Sequence, residues 1–225
     1  MGTITILPET TKNPITLIGQ RAGVCWGADT SDAEKNYKRG WDCITSGHGR
    51  TLEFVNVEMV LDGYSARVIR EWYTHIGGAP TRLQASTRYI DYKDFDCVKP
   101  ESIENNHRAS IEFDTALANI RVALAEMEKR GIPREDAAMI LPLGMTTRVV
   151  DKRNLRNLID MSHQRLCHRA YWEYRELFGD IIIALANYSK EWGTLTQFFQ
   201  PKCWETRSCP EKHGCGMFPP KGGEA

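Results

Sequence analysis

Residues 152–188 read KRNLRNLIDMSHQRLCHRAYWEYRELFGDIIIALANY, and they decide the fold of the second half of the chain. The stretch contains no proline, and its only glycine is Gly179. Because proline and glycine most often interrupt helices, this run predicts one or two long helices. Its longest apolar segment, residues 181–186, is far shorter than the ~20 residues that a membrane helix needs. We therefore expect no membrane partner.

Six residues of this stretch share one face of a continuous helix. They fall within about 40° of one line on a helix of 3.6 residues per turn, and they are Asn154, Leu158, Met161, Arg165, His168 and Trp172. Polar and apolar side chains mixed in this way fit neither a plain core nor a plain surface. Two interpretations are open. Either Arg165 extends to solvent from the edge of a core, or the stripe is a pocket wall that contacts a polar ligand.

The first half of the chain contains shorter segments. Residues 3–7 and 15–18 are β-branched runs that predict strands, and residues 87–92 predict another. A Ser-x-x-Glu capping box opens a helix that Gly40 is placed to end. Apolar residues at helical spacing between positions 111 and 127 predict a long helix. The prediction is an α+β fold, with strands early and long helices late.

Composition narrows the class of protein. The chain has 225 residues, with 29 basic and 29 acidic side chains and no net charge. This balance gives no broad electrostatic surface for nucleic acid, so no nucleic-acid partner is expected. Seven cysteines without an export signal are typical of reduced thiols, which predicts a cytoplasmic protein, in a bacterial cell or a virus-infected host cell.

A segment rich in small residues, residues 74–89, reads THIGGAPTRLQASTRY. Its glycines allow backbone N–H groups to approach an anion. Ser86, Thr87 and Arg88 are able to hydrogen-bond phosphate oxygens. The segment matches neither the Walker A pattern nor the dinucleotide fingerprint, so it indicates an anion site of no defined type.

Three motifs follow one another along the chain. The first is an S-x-R-Y run and the second is a Leu-Pro-Leu turn. The third begins with an N-x-R pair and continues with a further arginine and a Trp-Glu pair. Their residues are 86–89, 141–143, Asn154, Arg156, Arg165, Trp172 and Glu173. Together they resemble the flavin-dependent thymidylate synthases, the ThyX family. The resemblance spans residues 21–188, and it implies a twisted sheet packed by long helices. We place this single catalytic domain at residues 1–200, followed by an irregular cysteine-containing tail at residues 201–225.

What the resemblance implies is an FAD-dependent methyltransferase that converts dUMP to dTMP. Methylenetetrahydrofolate and NADPH are the implied co-substrates, and the implied assembly is a homotetramer. Arg165 is the implied catalytic residue, because its guanidinium contacts the pyrimidine. The implied nucleotide contacts are Glu71, Gln84, Ala85, Ser86, Thr87, Arg88 and Arg165. The implied FAD contacts are Thr74, His75, Ile76, Arg82, Asn154, Arg156 and Asp160.

Several positions depart from the ThyX pattern. The R-H-R signature is replaced by Thr74, His75 and Ile76. Gln84 replaces the usual acidic residue, and Ala138 replaces an arginine that helps to hold the substrate phosphate. Arg88 is therefore expected to hold the nucleotide phosphate and Arg82 the flavin side.

These departures leave two alternatives open. One is a flavin enzyme that methylates or hydroxymethylates another deoxypyrimidine nucleotide. The other is a degenerate, non-catalytic nucleotide-binding relative.

The tail contains four residues of metal-ligating type within thirteen positions: Cys203, Cys209, His213 and Cys215. Three thiolates and one imidazole suit tetrahedral zinc. The spacing is not a standard one, however, and a set of unliganded thiols is the alternative. We therefore predict no resident metal and keep these residues as zinc candidates. His163, Cys167 and His168 are expected to be pocket or core residues.

Overall fold

The computed structural model describes residues 2–221. Its strands are β1 (Thr3–Ile6), β2 (Asn56–Ser65), β3 (Thr81–Gln84) and β4 (Thr146–Asn154). Its α-helices are α1 (Pro14–Gly23), α2 (Ala33–Thr45), α3 (Ala66–Trp72), α4 (Glu101–Glu104), α5 (His107–Lys129), α6 (Arg134–Ala137), α7 (Leu155–Arg165), α8 (Trp172–Tyr188), α9 (Lys190–Leu195) and α10 (Lys202–Thr206). Short 3-10 turns occur between several of them. The predicted α+β class is confirmed.

The four strands form one antiparallel sheet in the order β1-β2-β4-β3. Alternate residues of β2 are buried, so one face of this strand packs into the core. Strand β4 alternates in the same way, but the residues that it buries include the charged pair Asp151 and Arg153.

The chain forms two compact units, and all four strands contribute residues to both. The first unit contains Leu61–Tyr73 and Leu83–Val149 with the start of the chain. Its core is a small cluster of Phe95, Leu117, Leu124, Ala137 and Met145. The second unit contains Ile4–Val60, Thr74–Arg82 and the chain from Val150 onward. The tail therefore belongs to the second unit as far as residue 221, and the domain boundary at residue 200 stays a prediction.

The N-terminal helices show where two local predictions were wrong. Residues 15–18 lie in α1 rather than in a strand, and Pro14 stands at the helix start, where its missing N–H costs nothing. Gly40 does not end α2, which continues to Thr45. Its role is close packing instead, because a Cβ atom there would fall 1.9 Å from the carbonyl oxygen of Ile15. A Cβ atom on Gly19 would fall 1.7 Å from the carbonyl oxygen of Asn36. The two glycines allow α1 and α2 to cross at backbone contact.

The predicted six-residue stripe is interrupted. Helix α7 ends at Arg165, and α8 begins at Trp172 after a non-helical turn. Leu158, Met161 and Arg165 therefore share a face of α7, while His168 lies in the turn. Neither proline nor glycine marks this break, so no residue pattern predicts it. Within residues 2–221, no helix combines the length and apolar character needed to cross a membrane.

Candidate active site

Helix α7 and the loop at residues 74–78 lie side by side in the second unit. At one end of the helix, a Cβ atom on Gly78 would fall 2.2 Å from Nδ2 of Asn154. Gly78 also has a φ of +70°, which L side chains rarely adopt. At the other end of the helix, His75 contacts Arg165. The loop thus runs along α7 from its first turn to its last.

Arg165 is held between two rings. Its Nε donates a hydrogen bond to Nε2 of His75 over 2.8 Å. Its guanidinium carbon lies 4.6 Å from the ring centroid of Tyr174 on α8, within the range of a cation–π contact. The rings of His75 and Tyr174 meet edge to face, with centroids 6.1 Å apart. These contacts orient the guanidinium before any ligand arrives.

The pKa of His75 is lowered to about 4, first by burial and then by the positive charges of Arg165 and Arg153. The imidazole is therefore neutral at pH 7. Because Nε2 accepts the hydrogen bond from Arg165, the proton of the neutral ring lies on Nδ1. His75 is an acceptor for Arg165 and adds no charge of its own.

A buried ion pair links the end of β4 to α7. Nε and Nη2 of Arg153 donate to the two carboxylate oxygens of Asp151 over 2.6 and 2.7 Å. Nη1 of Arg153 donates to Oδ1 of Asn157 over 2.7 Å. Both members of the ion pair have fully buried side chains. Buried charges need such complete pairing, so this network fixes the position of α7.

The residues predicted to contact FAD all lie in the second unit. Asn154 is buried and caps α7, because its Oδ1 accepts a hydrogen bond from the N–H of Asn157 over 2.9 Å. Arg156 is exposed, and its Nη1 pairs with Glu53 over 2.6 Å. Asp160 is also exposed, and Arg82 lies on β3. Thr74 and Ile76 are exposed in the loop that flanks His75.

The residues predicted to contact the nucleotide lie in the first unit, apart from Arg165. Glu71 lies on α3, and Gln84 ends β3. The N–H of Ala85 still donates to the carbonyl of Arg148 over 2.9 Å.

Residues 86–88 then form a turn, in which Oγ of Ser86 accepts from the N–H of Arg88 over 3.1 Å. The strand predicted at residues 87–92 was wrong, because these residues have no strand partner and fold through local hydrogen bonds. Thr87 and Arg88 are exposed in this turn.

Arg88 is anchored by an acidic residue of α6. Its Nε donates to Oε2 of Glu135 over 2.7 Å, and both side chains are more than half exposed. Ala138 and Thr87 both line a small cavity of about 40 Å³, as do Arg134 and Lys93. This volume is close to that of one water molecule, so the cavity itself is too small for a nucleotide.

A much larger cavity, of about 830 Å³, lies in the second unit. One wall comes from the end of α7 and includes Asp160 and Arg165. The other wall comes from the tail, residues 201–218. Four cysteines line this cavity: Cys167, Cys203, Cys209 and Cys215. Its volume is in the range of small-molecule sites.

The other thiols of this cavity affect the pKa of Cys203. The pKa of Cys203 is raised, first by burial and then by the nearby thiols of Cys167, Cys209 and Cys215. Across residues 2–221, however, no three His, Cys, Asp or Glu side chains already stand in a metal-holding arrangement. His213 does not line the cavity, and its backbone carbonyl accepts a hydrogen bond from Nη1 of Arg169 over 2.6 Å.

Known proteins share this architecture and sequence. Residues 6–187 match the family described as thymidylate synthase complementing protein (Thy1). The chain belongs to the flavin-dependent thymidylate synthase (ThyX) family. It is 30% identical over 183 residues to the flavin-dependent thymidylate synthase of Pyrococcus abyssi, covering 77% of this chain and 71% of that protein. It is 29% identical over 189 residues to the flavin-dependent thymidylate synthase of Nitratidesulfovibrio vulgaris. That match covers 78% of this chain and 74% of that protein.

The fold of a solved ThyX protein also matches. The crystal structure of thymidylate synthase X from Helicobacter pylori, with FAD and dUMP, superposes with a TM-score of 0.66. It is 18% identical to this chain and covers 88% of it, while this chain covers 97% of that protein. The expected ThyX fold is confirmed.

Sequence reasoning did not identify two residues that shape this ThyX site. Arg153 is one, and the alternation along β4 could have placed it on the buried face. Tyr174 is the other, and no local pattern points to its contact with Arg165, which depends on how α8 returns against α7. The tail wall of the large cavity lies beyond the ThyX match, which ends at residue 187.

Proposed function

We propose that this chain methylates dUMP to dTMP, with methylenetetrahydrofolate as carbon donor, NADPH as reductant and FAD as cofactor. The observation that carries the proposal is the guanidinium of Arg165, oriented by His75 and Tyr174 at the wall of a cavity large enough for a ligand. In a chain of the ThyX family, this is the arginine that the family resemblance assigns to the pyrimidine.

Arg165 stabilises negative charge that develops on the pyrimidine ring. A guanidinium is permanently charged and planar, so it favours the ionised form of a base N–H and carbonyl pair. Neutral His75 supports this role, because it accepts from Nε without adding a second positive charge. The orientation is set before the nucleotide binds, which reduces reorganisation during the reaction.

The side chains at the start of α7 are hydrogen-bond donors that suit the polar groups of FAD. Asn154 supplies an amide and Arg156 an exposed guanidinium, and these groups match carbonyl and phosphate oxygens. Gly78 packs directly against Asn154, so that a Cβ atom there would clash with its amide. We assign Thr74, His75, Ile76, Arg82 and Asp160 to the same FAD site. When bound, FAD passes on the reducing equivalents that NADPH supplies.

The turn at residues 84–88, with Glu71, is assigned to the nucleotide. The exposed hydroxyl of Thr87, the half-buried hydroxyl of Ser86 and the guanidinium of Arg88 match a phosphate. Glu135 holds Arg88 through Nε, so the terminal nitrogens of Arg88 are the atoms assigned to the phosphate. Arg134 and Lys93, beside Ala138, are positive charges that compensate for the family arginine missing there.

A homotetramer in the cytoplasm is part of the same proposal. Helix α5 supports the assembly, because only Leu117 and Leu124 are buried along its 23 residues. Ile111 and Val122 on this helix are 51% and 63% exposed. Large exposed apolar side chains on one helix favour contacts with another subunit.

The test is an anaerobic reaction of the purified, FAD-loaded protein with methylenetetrahydrofolate, NADPH and dUMP. Mass analysis of the nucleotide is expected to give dTMP. Parallel reactions with dCMP and with no nucleotide act as controls. A hydroxymethylated product, or turnover of dCMP alone, would replace the proposal with another pyrimidine modification. Tight nucleotide binding without turnover would favour a non-catalytic relative.

A further inference from the structure

Four cysteines, brought from two distant parts of the chain, line the large cavity of the second unit. Cys167 follows α7 directly, whereas the other three belong to the tail: Cys203, Cys209 and Cys215. None of the four forms a disulfide. Four thiols around one space are the donor set of a tetrahedral thiolate site.

The structure changes the ligand set that the tail sequence suggested. His213 does not line the cavity, and its carbonyl accepts a hydrogen bond from Arg169. Cys167 lies in the cavity instead, so the fourth donor is a thiol from the other wall. Because the turn after α7 and the tail supply different donors, a bound ion would join the two walls.

Arg169 bonds to Glu211 and His213 of the tail, but the tail buries few residues. Between residues 201 and 221, Cys209 alone is buried. Its N–H donates to the carbonyl of Pro219 over 2.7 Å, and its carbonyl accepts from Lys221 over 2.9 Å. A short segment without an apolar core needs a further crosslink to keep one conformation, and a structural metal is a common solution.

The turn that carries Cys215 packs against Cys209. Gly214 packs so closely that a Cβ atom there would fall 2.9 Å from the sulfur of Cys209. Gly216 has a φ of +86° and nothing within 4 Å of its Cβ position. The exposed Cys215 therefore sits on a turn that contacts Cys209 and is flanked by glycines.

The charges of the walls also suit bound thiolates. Four thiolates around a zinc ion carry an excess of negative charge. Arg169 and Lys202 line the same cavity and supply positive charge. Glu211 also lines it and pairs with Arg169 over 3.3 Å.

We propose that the tail closes on a structural zinc ion held by four thiolates, those of Cys167, Cys203, Cys209 and Cys215. Within residues 2–221, no three His, Cys, Asp or Glu side chains are placed to hold a metal ion, so the four sulfurs do not yet form the site. Zinc binding therefore includes a movement of the tail toward α7 and the release of the thiol protons. The ion fixes the wall that faces Arg165, and it takes no part in the proposed methyl transfer.

The experiment uses the full chain, expressed with added zinc and purified under reducing conditions. Elemental analysis is expected to find one zinc ion per chain. Cys167→Ser, Cys203→Ser and Cys209→Ser are each expected to lose it. Cys25→Ser is the matched control, because Cys25 is an exposed cysteine outside the cavity. His213→Ala is also expected to retain zinc, whereas a zinc site built on His213 would lose it.

A second measurement covers variants that fold poorly. The reduced, metal-free wild-type chain is titrated with Co²⁺, and intense visible bands of a tetrahedral thiolate site are expected. Limited proteolysis is expected to cleave the tail more slowly after the metal is added. The proposal is overturned if the wild-type chain contains no zinc and gives no such bands. It is also overturned if the metal is iron, if Cys167→Ser retains zinc, or if the tail cysteines form disulfides.

Discussion

Nε of Arg165 donates a hydrogen bond to Nε2 of His75 over 2.8 Å, and this contact joins α7 to the loop at residues 74–78. Burial lowers the pKa of the imidazole most, and the positive charge of Arg165 lowers it further. The neutral imidazole in turn fixes the rotation of the guanidinium. Tyr174 covers the face of the same guanidinium.

Replacing Arg165 tests the proposed role of its charge. Arg165→Ala is expected to lower kcat by about 10²–10³-fold, the usual cost of a lost charge-stabilising donor. Arg165→Lys is expected to rescue poorly, because an ammonium group lacks the planar donor geometry. Steady-state dTMP formation measures both variants, with FAD absorbance as the check on cofactor binding. Near wild-type turnover in either variant would show that another group stabilises the base.

His75 makes stability depend on pH. Its pKa is about 4 in the folded chain, against about 6.5 for an unperturbed histidine. Below pH 6.5 the unfolded chain gains a proton that folded His75 does not, so stability is lost as the pH falls toward 4. Between pH 7 and pH 5 the expected loss is about 1 kcal/mol, after allowance for the half-exposed ring.

His75→Gln is expected to remove this dependence of stability on pH, because glutamine does not titrate. Urea unfolding at matched protein concentration measures the difference between pH 7 and pH 5. His48→Gln is the control, since His48 is exposed. An equal pH dependence in the wild-type chain and His75→Gln would contradict the prediction.

The long helices and their order could be predicted from the sequence, because apolar spacing and helix breakers agree there. Helix α5 begins and ends close to the predicted positions. Residues 15–18 were mispredicted because four β-branched or apolar residues fit a strand or a buried helix equally well. Pro14 at the helix start was the signal that could have decided it.

The site was less predictable than the fold, because its geometry depends on contacts between distant segments. The resemblance directed attention to His75 and Arg165, but no spacing rule joins two residues that lie 90 positions apart. Strand β4 was hidden by the charges of Asp151 and Arg153, which look exposed in sequence and are buried as a pair. The fourth thiol of the tail cavity, Cys167, likewise became visible only in three dimensions.

Gly78 is expected to be required for the contact between the loop and α7. Gly78→Ala places a Cβ atom 2.2 Å from Nδ2 of Asn154 in addition to its left-handed strain. Gly47→Ala is the matched control, because Gly47 has a φ of +77° and open space at its Cβ position. The strain costs about 1–2 kcal/mol at both sites, and the clash adds about 1–3 kcal/mol at Gly78. If Gly78→Ala and Gly47→Ala lose the same free energy of unfolding in urea, the loop can shift away from Asn154 without cost and the prediction is wrong.

Arg88 is expected to hold the nucleotide phosphate. A charge-assisted hydrogen bond contributes about 1.5–3 kcal/mol, so Arg88→Ala should weaken dUMP binding by roughly one to two decades. FAD affinity is expected to stay unchanged. Calorimetric titration of each ligand makes the comparison, and unchanged dUMP affinity would move the phosphate to Arg134 or Lys93, beside Ala138.

Arg82 is expected to act on the flavin side. It lies on β3, at the end of the segment that begins at Thr74, and the signature arginines of the ThyX family are absent from that segment. The FAD pyrophosphate still needs a cation, and between residues 74 and 82 Arg82 is the residue with a permanent positive charge. Arg82→Ala should therefore weaken FAD binding by roughly one to two decades and leave dUMP binding unchanged. Arg108→Ala, an exposed arginine of α5, is the control for a loss of general positive charge. Flavin fluorescence measures the affinity, and an unchanged FAD affinity in Arg82→Ala would mean that another cation, such as Arg156, neutralises the pyrophosphate.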